Sequence, residues 1–242
     1  MQLYFIRHGQ STNNVVYAET GSHVGRVPEP ELTELGSRQA EAVANYFAQR
    51  PTTVPIEERY LDWGNLLGVG ITHLYTSLMV RAVETAQAIA SATSVKAVAC
   101  RELYETGGVT SFCAEKNAWE GLPGNTREYY ENRFPELLLP EDWHSEGWYN
   151  KPFEEAHLRA ERAARVIARL VDEHSDNKDV VACVTHAGFH DHLVKVILRL
   201  RHEGPLLFPL NNCAITRIDW CNGQPCLVFL NRICHLAEEE VT

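Results

Sequence analysis

Leu3-Tyr4-Phe5-Ile6-Arg7-His8-Gly9-Gln10-Ser11-Thr12-Asn13-Asn14 opens the chain with four apolar residues that run straight into a cation, an imidazole and a glycine. An unbroken apolar run stopped by glycine is the pattern of a strand buried on both faces. Open α/β sheets bind ligands outside the carboxyl ends of their strands. Arg7, His8 and Gly9 therefore bring a guanidinium, a nucleophilic ring and a pliable backbone unit to such an end. A phosphate group suits that position.

The same junction recurs later. Residues 180–185 are another apolar run, read as a central parallel strand, and they end in His186-Ala187-Gly188 before a helix over 189–200. Between the two junctions, residues 71–76 read as a strand and 77–92 as a helix whose first turn carries Arg81. A cation is unfavourable at the positive end of a helix, unless it and the helix act on one anion. A short strand over 95–100 leads into Arg101-Glu102-Leu103-Tyr104-Glu105-Thr106-Gly107-Gly108, where two carboxylates precede a glycine pair. Right-handed crossovers present parallel strand ends on one side, so Arg7, His8, Arg81, one of the two glutamates and His186 are expected to converge. The fold class is α/β: a three-layer open sheet, mostly parallel, with helices on both faces.

Other segments elaborate that frame. Residues 15–30, with Gly21, Gly25, Pro28 and Pro30, read as a loop whose His23 and Arg26 reach toward the remote end of a ligand. A helix capped by Thr33 runs to about residue 50, and 52–70 form an irregular surface stretch with a short helical turn. Residues 109–152 are rich in Trp and Tyr and are expected to form a lid or cap, with a helix over 127–134. An amphipathic helix over 153–174 is expected to bury Ala156, Ala160, Ala163, Ala164, Ile167 and Val171 and to turn Arg159, Arg162, Arg165 and Arg169 outward. Strands over 214–220 and 227–231 form a hairpin around Asn222-Gly223, and the acidic tail at 238–240 is expected to be mobile. The chain reads as one domain, 1–242, with 109–152 inserted in it.

A formal net charge of −10 argues against nucleic acid as a partner, so an anionic ligand must meet a local cluster of Arg and His. No apolar stretch is long enough for a bilayer, and a strand from residue 3 leaves no room for a leader, so a cytoplasmic protein without membrane contact is expected. Seven cysteines without a repeated Cys-x-x-Cys spacing then read as free thiols, with Cys221 and Cys226 as cross-strand neighbours. In His186-Ala187-Gly188-Phe189-His190-Asp191-His192, histidines four apart could ligate zinc, but the glutamate of a His-Glu-x-x-His hydrolase is missing.

Arg7-His8-Gly9-Gln10-Ser11 with Asn14 after a strand closely resembles the signature of the histidine phosphatase superfamily, which includes cofactor-dependent phosphoglycerate mutase and many small phosphatases. The Leu32-Thr33-x-x-Gly36-x-x-Gln39-Ala40 pattern and Ser77-x-x-x-Arg81-Ala82-x-Glu84-Thr85-Ala86 resemble it too. The resemblance implies that His8 attacks phosphorus and carries a phosphohistidine, with Arg7, Asn14, Arg81 and a protonated His186 around the phosphoryl oxygens. Family members place the general acid two residues after a leucine, which selects Glu105 in Leu103-Tyr104-Glu105 and leaves Glu102 as the alternative. Such a site needs charge neutralisation and positioning rather than a metal or cofactor. The mutase subgroup's Gly-x-x-x-Gly after the acid is absent, so hydrolysis of a small phosphomonoester is expected. Phosphoglycerate mutase, sugar bisphosphatase and a non-catalytic phosphate-ester binding module are the alternatives.

Overall fold

The computed structural model describes residues 1–48, 54, 58, 62–113, 115–174, 178–221 and 223–242. Its strands are β1 (Gln2–Arg7), β2 (His73–Thr76), β3 (Ala97–Ala99), β4 (Thr110–Cys113), β5 (Ala118–Gly121), β6 (Val180–Thr185), β7 (Ile215–Cys221) and β8 (Gln224–Arg232). Six of them form one sheet in the order β3-β2-β6-β1-β7-β8, while β4 and β5 make a separate antiparallel pair. β3, β2, β6 and β1 run parallel; β7 and β8 add an antiparallel hairpin at one edge. Register matters here: Gln2 lies beside Val180 and Arg7 beside Thr185, so β1 and β6 end level and His8 and His186 emerge next to each other.

Alternation along the strands builds two cores. Tyr4, Ile6, Leu74, Val180, Ala182 and Val184 pack on one face with Val43 and Phe47 of α2 (Glu34–Ala48) and with Ala82, Val83 and Ala86 of α3 (Val80–Thr93). Leu3, Phe5, Val181 and Cys183 point to the other face, against Ala163, Val166 and Leu170 of the long helix α5 (Ala156–Glu173) and Phe189 and Leu193 of α6 (Ala187–Ile197). Each fully buried Leu, Ile, Val or Phe contributes about 1.5–3 kcal/mol relative to exposure. This is the expected mostly parallel sheet between two helical layers.

Several local expectations are corrected. The 15–30 stretch is not loop throughout, because α1 (Thr12–Thr20) enters it, opened by a capping box between Ser11 and Asn14 and closed by Gly21 at φ 63°. It buries none of its residues and so carries no apolar period. Thr33 caps α2 as expected, its Oγ1 accepting the Gly36 N–H at 3.0 Å. The end of that helix near residue 50 and much of the 52–70 stretch lie outside the described residues, as does Asn222. On α5, Ala156 and Ala164 are exposed and Arg162 is among the most deeply buried side chains of the chain, opposite to its expected outward place.

The 109–152 segment divides in two. Its front is the β4–β5 hairpin. Its rear contains α4 (Arg127–Arg133), and Tyr130, Phe134, Leu137, Trp148 and Tyr149 are buried in the core on the α2–α3 side. The acidic tail is docked rather than mobile: Glu240 pairs with Arg38 at 3.3 Å, its carbonyl accepts Gln39 Nε2–H at 2.6 Å, and the Thr242 carbonyl accepts the Asn212 N–H at 2.8 Å. Cys221 faces Gln224 and Cys226 faces Asp219, so these two thiols are diagonal rather than opposed, and all seven cysteines are free. Among the described residues no helix is long and apolar enough to cross a membrane.

Candidate active site

The turn that follows β1 is clamped from several sides. The His8 N–H donates to the Thr185 carbonyl of β6 at 3.0 Å, its own carbonyl accepts Asn212 Nδ2–H at 2.9 Å, and the Gly9 N–H donates to Thr85 Oγ1 of α3 at 3.0 Å. Gly9 and Gly36 are required by close approach: a Cβ on Gly9 would overlap the Gly36 carbonyl, and one on Gly36 would overlap the carbonyl of Gln10. The turn therefore lies flat on the start of α2.

His8 is 3% exposed, and its Nδ1 bonds the Gly9 carbonyl at 2.7 Å. That contact requires the proton on Nδ1 and leaves the lone pair on Nε2. Arg81 agrees with this tautomer, since its Nε donates to His8 Nε2 at 3.1 Å. The His186 ring stands 5.0 Å from the His8 ring, with Nε2 bonded to Ser77 Oγ at 2.9 Å and Nδ1 buried without a partner. Arg7 donates to the Leu210 carbonyl at 2.6 Å and keeps its Nε without a partner. Three strand ends, those of β1, β2 and β6, thus meet around one spot.

Glu105 arrives from the segment after β3 and settles at the amino end of α6. Its carboxylate accepts the Thr106 N–H at 2.8 Å, the Phe189 N–H at 2.9 Å and the Gly188 N–H at 3.3 Å. Gly188 leaves room for it, since a Cβ there would come within 2.6 Å of Glu105 Oε1. Glu102 faces elsewhere, toward Arg165 at 3.3 Å and Arg169 at 4.0 Å on α5. Only Glu105 of the two glutamates lines a cavity of about 410 Å³, whose walls include Arg81, Met79, Thr106, Asn13, His23, Arg26, Trp119, Phe153 and Arg159. Arg81 thus joins the cavity to the buried His8.

Burial, followed by the charges of Arg81 and Arg7, holds His8 well below the usual imidazole range, so its ring is neutral at pH 7. His186 is pushed the same way, by burial first and then by Arg81 and His8. Burial, and after it the cations beside the ring, thus favour the neutral imidazole at His186 over the imidazolium expected around a phosphoryl group. Arg7 is lowered only to about 10, chiefly by burial, and stays cationic.

Asn14 takes partners within the turn it belongs to and beside it, and the histidines of the 186–192 stretch point apart. Asn14 Oδ1 accepts from Ser11 N–H at 2.9 Å and from Asn212 Nδ2–H at 3.4 Å, so it braces the turn that holds His8, and Asn13 lines the cavity. Asn13 also pins the 21–28 loop by bonds to Val27 at 2.7 and 2.9 Å. His190 bonds Thr216 at 2.9 Å and His192 turns to His202, so they and His186 diverge. The cluster of His73, His174 and Asp179, the one group of potential metal ligands among the described residues, lies at the opposite ends of β2 and β6.

Three contributors went unread in the sequence. Arg162 forks onto Glu154 with two 2.7 Å bonds and donates to the carbonyls of Glu102 and Tyr104, fixing the segment that leads to Glu105. Glu29 accepts the Trp148 Nε1–H at 3.0 Å and the Val80 N–H at 3.2 Å beside Arg81, and burial raises its carboxyl to about 7. Arg159 lines the cavity. No local spacing marks any of these, because each partner lies in another segment.

A sheet with two imidazoles and two arginines at level strand ends belongs to a defined class. A sequence profile of the histidine phosphatase superfamily (branch 1) matches residues 3–56 and 63–233, and the chain belongs to that superfamily. It is similar, at 25% identity over 97% of each chain, to a Hydrogenobacter thermophilus protein provisionally named a phosphoserine phosphatase. Its fold is similar to that of phosphoserine phosphatase from Entamoeba histolytica, solved with 3-phosphoglyceric acid, at TM-score 0.61 and 20% identity over 98% of this chain and 99% of that one. A mycobacterial glucosyl-3-phosphoglycerate phosphatase gives TM-score 0.59 and 21% identity over 96% and 99%.

Proposed function

We propose that the protein is a phosphatase that hydrolyses a small phosphomonoester through a phosphohistidine on His8, with Glu105 as general acid and base. The observation that carries this reading is the His8 ring itself: Nδ1–H is tied to the Gly9 carbonyl, and the Nε2 lone pair is aimed at a guanidinium that lines the cavity. His8 Nε2 attacks phosphorus, the bond to the leaving oxygen breaks, and the proton of Glu105 goes to that oxygen. Water then gives a proton to Glu105 and attacks the phosphohistidine, releasing inorganic phosphate and restoring the neutral ring.

Arg7 and Arg81 neutralise the equatorial oxygens, and His186 donates from one ring nitrogen. The dianion counters the repulsion between His186 and the arginines, so substrate binding favours the imidazolium form there. Arg26 meets the part of the substrate beyond phosphorus. No metal or cofactor takes part, and the partners are small phosphate esters rather than nucleic acid. Relatives named as phosphoserine and glucosyl-3-phosphoglycerate phosphatases support hydrolysis over a mutase reaction. Release of phosphate from p-nitrophenyl phosphate in EDTA is expected, together with an acid-labile phosphoenzyme after quenching. No turnover under these conditions would overturn the proposal.

A further inference from the structure

At the end of the sheet away from His8, three elements meet. His73 opens β2 beside Val181 of β6, Asp179 immediately precedes β6, and His174 follows the last residue of α5. The His73 and His174 rings stand 4.5 Å apart at 58°, and His174 Nδ1 bonds Asp179 Oδ2 at 2.7 Å. One donor atom from each of the three residues lies within 4.8 Å of the other two. His174 is only 4% exposed, so its ring has left water for these partners.

The outer ring nitrogens are already held. Thr72 Oγ1 donates its single proton to the Val180 carbonyl at 3.1 Å and accepts the Val180 N–H at 2.9 Å, so its 2.9 Å contact with His73 Nδ1 calls for a proton on that nitrogen. The His73 lone pair is then on Nε2, which has no hydrogen-bond partner among the described residues. Tyr75, two residues along the same face of β2, sets its hydroxyl 3.0 Å from His174 Nε2. Outer nitrogens bonded in this way fix the ring orientation of metal-ligating histidines. A lone His–Asp bond accounts for His174 and Asp179, but it leaves the second imidazole, with its lone pair unmatched, brought to the same spot for nothing.

We infer that His73, His174 and Asp179 form a binding site for a divalent transition metal of the zinc class, which staples the end of α5 to the starts of β2 and β6. Two imidazole nitrogens and one carboxylate oxygen suit Zn²⁺, whereas Mg²⁺ takes oxygen ligands. A tetrahedral shell with bonds of about 2.1 Å sets its ligand atoms about 3.4 Å apart. The 2.7 Å contact between His174 and Asp179 therefore opens slightly and His73 closes in by side-chain rotation, leaving a fourth position for water. The ion replaces the proton on His174 Nδ1, and that proton passes to Nε2, where the Tyr75 oxygen accepts it. Because the clip joins segments far apart in sequence and stands away from His8, its effect falls on stability and not on hydrolysis.

The test uses the full chain, stripped of metal with EDTA and then dialysed. Calorimetry with Zn²⁺ should show binding that His73→Gln and Asp179→Asn each weaken by about tenfold or more. Tm of the wild type should rise by about 5 °C or more once free Zn²⁺ reaches about a hundred times Kd, while Mg²⁺ at the same concentration leaves it alone. The two variants should lose that rise, each read against its own melt in EDTA, and His73→Gln decides alone if Asp179→Asn does not fold. Co²⁺ on the wild type should give the visible bands of nitrogen and oxygen ligation without the near-ultraviolet band of a cobalt thiolate. No Zn²⁺ binding by the wild type, binding unchanged in the variants, an equal rise with Mg²⁺, or a thiolate band from the free cysteines would overturn the site. None of these readouts depends on turnover, so the result stands apart from the phosphatase reading.

Discussion

Arg81 Nε donates to His8 Nε2 at 3.1 Å, so the lone pair assigned to attack phosphorus is held by the same guanidinium that lines the cavity. Phosphoryl oxygens entering from the cavity compete for those N–H groups, and the ring is freed as they win. Because the charge of Arg81 helps to hold His8 below the imidazole range, the acid limb of kcat/KM should lie below pH 6.5. Arg81→Gln removes that repulsion. The limb should then move upward in a pH–rate profile, with kcat reduced about a hundredfold or more for every ester.

His8→Ala is expected to abolish turnover, by about four orders of magnitude or more, because it removes the ring nitrogen proposed to carry the phosphoryl group. Rapid acid quench of the wild type with labelled substrate should trap a phosphoenzyme that the variant lacks. Wild-type-like turnover by the variant would remove His8 from the mechanism.

Glu105→Gln should slow alkyl phosphates by about 10²–10⁴-fold and aryl phosphates far less, because only a poor leaving group needs a proton. Glu102→Gln should leave that pattern alone, given that its side chain pairs with Arg165 and Arg169. Leaving-group plots for the two variants distinguish the carboxylates.

Arg162 and Glu154 form a buried ion pair, both nearly inaccessible to solvent, with the guanidinium stacked 3.6 Å from the Tyr104 ring centroid and 3.7 Å from that of Phe189. Removing one partner strands the other, so Arg162→Met should cost about 3–5 kcal/mol in urea denaturation. Adding Glu154→Leu to it should restore part of that loss.

His190 is buried and bonded to Thr216, and burial lowers its imidazole to about 4. Unfolded chains take up the proton as pH falls through 6.5, whereas the folded protein resists until about 4. The contribution is therefore complete above pH 6.5 and is lost progressively on acidification, by about 3 kcal/mol in total. His190→Gln should flatten the fall of Tm between pH 6.5 and 4.

The strand ends at His8 and His186 were legible because an apolar run that stops at a charged or imidazole residue before glycine is a local signal. Arg81 and Glu105 followed from the same strand-end logic and from the resemblance. What escaped depends on distant partners. Arg162 looked like a solvated cation because the spacing of α5 cannot reveal a pocket made by Glu154 and two carbonyls from residues 102 and 104. Helix α1 buries none of its residues and so leaves no apolar stripe to read, and the push of His186 toward its neutral form follows first from burial and then from the closeness of Arg81 and His8.

The docked 238–242 segment ties the His8 turn to residues more than two hundred positions away. Thr242 holds Asn212, which holds the His8 carbonyl at 2.9 Å, and Glu240 holds Gln39, whose Oε1 takes the Gln10 N–H at 2.7 Å. Loss of the contacts made by residues 238–242 would slacken both grips on the turn that carries His8. On the mechanism proposed above, a protein with that segment undocked should stay folded yet slow the phosphoryl-transfer step, with its affinity for ester little changed.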